Sequence, residues 1–170
     1  MHRTSAQALN VARPIIVGLS ALNILYGIGI TLLLGSSFFA EGWPWAPLGF
    51  DLTAMHPQAP IGLRAIMVIG MVGATIVHTI LRHLLAIVDT VRGGDPFNLQ
   101  NARRLNVIAW SVLALEVLRL LVMAIAAAVA APGLTGGITP APWLAVLLLF
   151  VASGVFAHGA RMRNDLEGTV

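Results

Sequence analysis

Charge is absent from three long segments of this chain: Pro14 to Ala40, Ala65 to Leu81, and Leu120 to Ala160. A helix needs roughly 20 apolar residues to cross a hydrocarbon layer about 30 Å thick. The third segment is interrupted by Pro132, Gly133, Gly136, Gly137, Pro140 and Pro142. It therefore reads as the end of one span and the whole of another. Four spans follow, near 14–38, 61–81, 105–131 and 143–161. The second is expected to continue as helix to Arg92, because Leu84, Leu85, Ile87, Val88 and Val91 form an apolar face. Gly93-Gly94 then stops it, and Asp95-Pro96 and Asn98 offer start signals for the next helix. Pro14 suits the first turn of span one, where a missing N–H costs nothing. The fold class is all-α: a four-transmembrane-helix bundle, taken as one integral membrane domain.

Composition closes off other classes. Apolar residues are 58% of the 170 and charged ones 10%, against about 25% charged in soluble domains. There is no cysteine, so thiol chemistry and Cys-based zinc sites are excluded. All ten basic residues are arginine. They are dispersed at helix ends, where orientation and lipid headgroups account for them, so no direct nucleic-acid contact is expected. The first apolar run is too long for a signal peptide and reads as a retained span. Arg3, Arg13, Arg82, Arg92, Arg103, Arg104, Arg161 and Arg163 fall on one side of the four spans. That side is then cytoplasmic, both termini with it, which implies a multi-pass membrane protein.

Glu116 and Arg119 are the sharpest anomaly. They lie roughly 18 and 22 Å along span three at ~1.5 Å per residue, where ionisable groups need a partner or a wet cavity. Their i, i+3 spacing lets them pair. Asn23, Tyr26, Thr75 and His78 are the polar groups expected to complete an intramembrane network. That network reads as a structural ion pair, a buried ligand site or a proton relay. His78 and His158, from two spans at one depth, are a cross-helix pair of the kind that holds b-type haem. As the sole support they do not justify a cofactor, and none is expected; nor is a metal. The loop from Glu41 to Pro60 carries Trp43, Pro44, Trp45, Pro47 and Phe50, and is expected to lie on the bilayer or cap the bundle. Small residues recur at i, i+4 (Gly27 and Thr31, Gly70 and Ala74, Ser153 and Ala157), the spacing of close helix packing within the chain or in a homo-oligomer. No nucleophile stands beside a base at a recognisable spacing, which argues against an enzyme.

Two segments carry a resemblance. One is Gly94-Asp95-Pro96-Phe97-Asn98-Leu99-Gln100-Asn101-Ala102-Arg103-Arg104-Leu105. The other is Phe156-Ala157-His158-Gly159, with Met162 and the ending Asp165-Leu166-Glu167-Gly168-Thr169-Val170. The pattern resembles domain-of-unknown-function family 2975, small bacterial four-span membrane proteins often encoded beside Xre-type helix-turn-helix regulators. The resemblance implies a membrane sensor or sequestering partner for such a regulator. Its expected docking surface is Asp95, Pro96, Phe97, Asn101, Arg103, Arg104, Asp165 and Glu167, with Asn101, Arg103 and Arg104 facing water or headgroups. The alternatives are a small-molecule or ion transporter and a b-type electron carrier.

Overall fold

The computed structural model describes residues 2–39, 43–94, 98–131, 134, 136, 137 and 139–167, with side chains placed between 11 and 163 of these. The described residues form four long helices: α1 (His2–Ser36), α2 (Ala59–Arg92), α3 (Leu99–Ala128) and α4 (Ala141–Glu167). A 3-10 turn, Leu52–Ala54, lies between α1 and α2. All four helices are long and apolar enough to cross a membrane, over Val11–Ser36, Ala59–Arg92, Leu99–Ala128 and Ala141–Arg163. Large apolar side chains such as Leu25, Leu32, Leu121, Leu148 and Val155 point outward. In water so much exposed hydrocarbon would drive association; in lipid it is the favoured surface.

Each helix starts before its predicted span, because hydropathy marks what must be in lipid, not where the backbone becomes helical. Pro14 is a correction. It lies inside α1, which begins twelve residues earlier, at His2. The preceding Ala6, Gln7, Ala8, Leu9 and Ala12 are good helix formers, and a lost N–H is tolerated within membrane helices. The predicted extension of α2 to Arg92 is present. Gly94 ends it at φ +85°, a left-handed conformation that costs glycine little. Asn98 starts α3 by accepting from the Asn101 N–H at 2.7 Å, an N-cap bond. The other two expected caps, Asp95 and Pro96, lie outside the described residues, as does Phe97. So α3 begins at Leu99, directly after the start signal expected at Asn98.

The end of α3 is closed by its own backbone. Ala131 N–H donates to the Ala126 carbonyl at 2.9 Å and Ala130 N–H to Ala127 at 3.3 Å. Ala130 takes φ +54° between them. This is a Schellman closure with alanine where glycine is usual, and its flanking residues Ala126 and Ala131 are buried.

The chain packs as two compact units. One comprises Met1–Leu22, Val77–Leu113 and Pro140–Val170; the other Asn23–Ile76 and Ala114–Thr139. In the first, Ile16 of α1 packs with Leu81 and Val88 of α2. Arg13 and Asp89 pair beside them at 3.3 Å. On its other helices, Ser153 of α4 donates to the Ala102 carbonyl at 2.9 Å, and the Trp110 and Phe150 rings meet edge to face at 5.3 Å. In the second unit, Trp45 (3% exposed) and Met55 of the loop join Leu63 and Met67 of α2, Ala126 of α3 and Val129 just after it in one core. The loop therefore covers this unit's end through Trp45, while Trp43 faces out. Of the recurring small residues, Gly27 and Ala74 meet within the chain. A Cβ at Gly27 would stand 3.8 Å from that of Ala74, and one at Gly62 only 2.6 Å from a Val129 methyl.

Candidate functional site

Within Asn23–Ile76 and Ala114–Thr139, the chemistry centres on α3. Glu116 is 5% exposed. Arg119, one turn on, donates through Nε to both carboxylate oxygens at 3.0 Å and through Nη2 to Oε1 at 2.5 Å. The fork geometry satisfies both ions, as a charge in a low-dielectric region requires. Arg119 does more than neutralise its neighbour. Its Nη1 donates to the Met123 sulfur at 3.4 Å and to the Gly137 carbonyl at 3.3 Å. One guanidinium thus joins a buried carboxylate to the loop after α3. Its side chain remains 34% exposed.

The expected wider network is not assembled around this pair. Among the described residues, Glu116 hydrogen-bonds only to Arg119, and Arg119 only to Glu116, Met123 and Gly137. Asn23 spends its amide on the Ala74 carbonyl at 2.9 Å, tying α1 to α2. Thr75 donates to Met71 of its own helix. Tyr26 is exposed. His78 belongs to the other compact unit, and its Nδ1 is buried without a hydrogen-bond partner among the described residues. The reason is local. At i, i+3 the two ions reach each other, and the remaining guanidinium N–H groups are taken by Met123 and the Gly137 carbonyl. Met123, at i+4, was readable from helical spacing. Gly137 was not, because nothing periodic encodes a loop's path.

A second arginine, Arg64 of α2, is held at the end of α1. Arg64 donates through Nε to the Ser37 hydroxyl at 3.2 Å and through Nη2 to the Ser37 carbonyl at 2.5 Å, with its guanidinium carbon 4.3 Å over the Phe38 ring. Beyond it, Asp51 accepts from the Thr53 hydroxyl at 2.6 Å and the Thr53 amide at 3.0 Å. These bonds, the hydroxyl first, hold the Asp51 carboxyl below its ordinary pKa of 3.8.

In the unit containing Val77–Leu113, the polar centre is Arg104. Its Nη1 donates to the Ala86 carbonyl (3.1 Å), the Thr90 hydroxyl (2.8 Å) and Asn101 Oδ1 (2.9 Å). This fastens the start of α3 to the end of α2. Asn101, expected to face water, is instead 0% exposed. Its amide supports Arg104 from within, because two helices meet where it projects. Arg103 is exposed, as are Arg82, Arg92 and Arg161. The side chains of Asp165 and Glu167 lie outside the described residues. His158 is exposed on α4, in an open groove with Gly154, Val155, Gly159, Met162 and Arg163.

With this geometry, comparison with known families decides the kinship. The chain belongs to the family described as Protein of unknown function (DUF2975). The family model matches residues 6–170, nearly the whole chain. No curated protein and no solved structure matches. Membership agrees with the four apolar helices but brings no assigned chemistry, so function rests on the residues themselves.

Proposed function

We propose that this protein is a non-enzymatic, multi-pass protein of a bacterial inner (cytoplasmic) membrane, with both termini in the cytoplasm. Its role is to sense a signal or to hold a small helix-turn-helix transcription regulator at the bilayer. The supporting observation is the arginine-held junction of α2 and α3. Arg104 makes three hydrogen bonds there, while Arg103 beside it is exposed. A rigid backbone presenting a free guanidinium suits docking against an acidic patch, since an anchor fixed in advance loses little freedom on binding. The non-enzymatic part of the reading draws on Glu116, whose carboxylate is already committed to Arg119.

The test is partitioning of the neighbouring regulator between membrane and soluble fractions. Wild-type protein is expected to retain it on membranes. Arg103→Glu, or deletion of residues 165–170, is expected to release it while the spans still fold. A regulator that stays soluble beside the intact protein under every growth condition overturns sequestration and makes transport the better reading.

A further inference from the structure

Arg104 leaves half of its guanidinium unused. All three of its hydrogen bonds run through Nη1. The Nε–Nη2 edge has no partner among the described residues. That edge presents two parallel N–H groups, the geometry that grips a phosphate or carboxylate in bidentate fashion.

The residues of α2 one turn before this junction are also cationic or donating. Ala86 and Thr90, which hold Arg104, are four residues apart on α2. Arg82 is four residues before Ala86, and His83 three before it, so both fall on that face one turn away. The positive charges of Arg104 and Arg82 both bear on the His83 imidazole. Neither Arg82 nor His83 makes a hydrogen bond to another described side chain. The one acidic residue of this stretch of α2, Asp89, is directed at Arg13.

Depth selects the anion. Helix α2 carries no charged residue from Ala65 to Leu81, about 26 Å at ~1.5 Å per residue. That approaches the ~30 Å of a hydrocarbon core. Arg82 is the first charge beyond it, at the level of headgroup phosphates. Basic pockets between membrane helices at this depth favour anionic headgroups. A zwitterionic lipid would bring its own ammonium into a cluster of uncompensated positive charge.

We propose that Arg82, His83 and the open edge of Arg104 form a binding site for the phosphate of an anionic phospholipid headgroup. Arg104 is the fixed element, held by α2 and α3, and Arg82 supplies the second charge.

The experiment uses the full chain in neutral detergent. Its probes are short-chain phosphatidylglycerol, phosphatidylcholine of the same chain length, and inorganic phosphate. Binding is read by thermal shift and by lipid adducts in native mass spectrometry. Phosphatidylglycerol is expected to raise the melting temperature saturably and to give one retained adduct; the other two are not. Arg104→Gln threatens the α2–α3 junction itself, so the site is probed through Arg82→Gln and His83→Gln. Arg82→Gln is expected to weaken phosphatidylglycerol about fivefold to tenfold, and Arg161→Gln, an exposed arginine of α4, to leave it unchanged. Equal effects of the two lipids would overturn the proposal. So would a shift reproduced by inorganic phosphate, which would mean a soluble anion site. Equal losses in Arg82→Gln and Arg161→Gln would replace the site with diffuse attraction, and no shift with phosphatidylglycerol would dismiss it.

Discussion

At the scale of single residues, the strongest constraint is the Glu116–Arg119 pair. Removing one member of a fully buried pair costs about 3–5 kcal/mol, because a charge is left without compensation. Here Arg119→Leu strands the buried Glu116 carboxylate, whereas Glu116→Leu strands a guanidinium whose side chain is one-third exposed. Glu116→Leu is expected to be harsher than a lost carboxylate alone. It also frees Arg119, whose bond to Gly137 depends on the orientation Glu116 imposes. The double change Glu116→Leu, Arg119→Leu is expected to unfold less readily than Glu116→Leu, measured by denaturation in detergent. If the single variant melts like wild type, the carboxylate faces water and the pair holds nothing. Asp51 offers a milder case in the loop between α1 and α2. Its carboxyl is held below 3.8 by Thr53. A depressed carboxylate pKa means stability that is present above the unfolded value and lost as pH falls through the folded one. The Asp51 carboxyl signal in an NMR titration is therefore expected to have its midpoint below 3.8. In Thr53→Ala it is expected to move up, since the hydroxyl is the larger cause. An unmoved midpoint would assign the depression elsewhere.

At the scale of elements, the termination of α3 makes its own prediction. Ala130 holds φ +54°, which costs an L-residue roughly 1–2 kcal/mol and glycine far less. Ala130→Gly is expected to raise stability by about 0.5–1 kcal/mol, since glycine's greater freedom in the unfolded chain offsets part of the relief. Ala130→Val is expected to lower it. A destabilised glycine variant would mean that the Ala130 methyl contributes packing that outweighs the strain. The same helix end shows what the sequence could and could not disclose. The uncharged runs gave the number of helices, and the apolar face from Leu84 to Val91 with Gly93-Gly94 gave the end of α2. The Glu116–Arg119 pairing followed from their spacing alone. The start of α1 did not follow, because Pro14 was read as a boundary when lipid-spanning helices tolerate interior proline. Nor did the burial of Asn101. Its polarity pointed to water, and only the meeting of α2 and α3 around Arg104 turns that polarity inward. Asn23 likewise looked available to the ion pair, but a carbonyl of the facing helix, Ala74, was nearer. Local periodicity carries the helices and neighbouring residues; cross-helix partners depend on three-dimensional packing that no single segment encodes.

At the scale of the whole molecule, the open quantity is which way the four helices cross. Along the sequence, eight arginines fall in the two tails and around the α2–α3 turn, and Arg64 falls at the start of α2. An arginine costs about 2.5–3.5 kcal/mol near the bilayer centre during insertion, and arginines in short segments are retained on the cytoplasmic side. Arg64 barely opposes this bias. It is one charge against eight, and its guanidinium is bound to Ser37 and covered by Phe38. The aromatic rim around it, with Phe39 91% exposed and Trp43 facing out, suits the opposite interface, where amphipathic rings accumulate. Reporter fusions at the N-terminus, within 93–98 and at the C-terminus are therefore expected to read cytoplasmic, and an insertion at Gly49 periplasmic. Changing Arg82, Arg92, Arg103 and Arg161 together to glutamine is expected to lower the fraction inserted in that sense. Arg64→Gln is expected to leave it unchanged. A periplasmic reading from any of the three cytoplasmic sites, with wild-type arginines in place, would break the even number of crossings on which the topology depends.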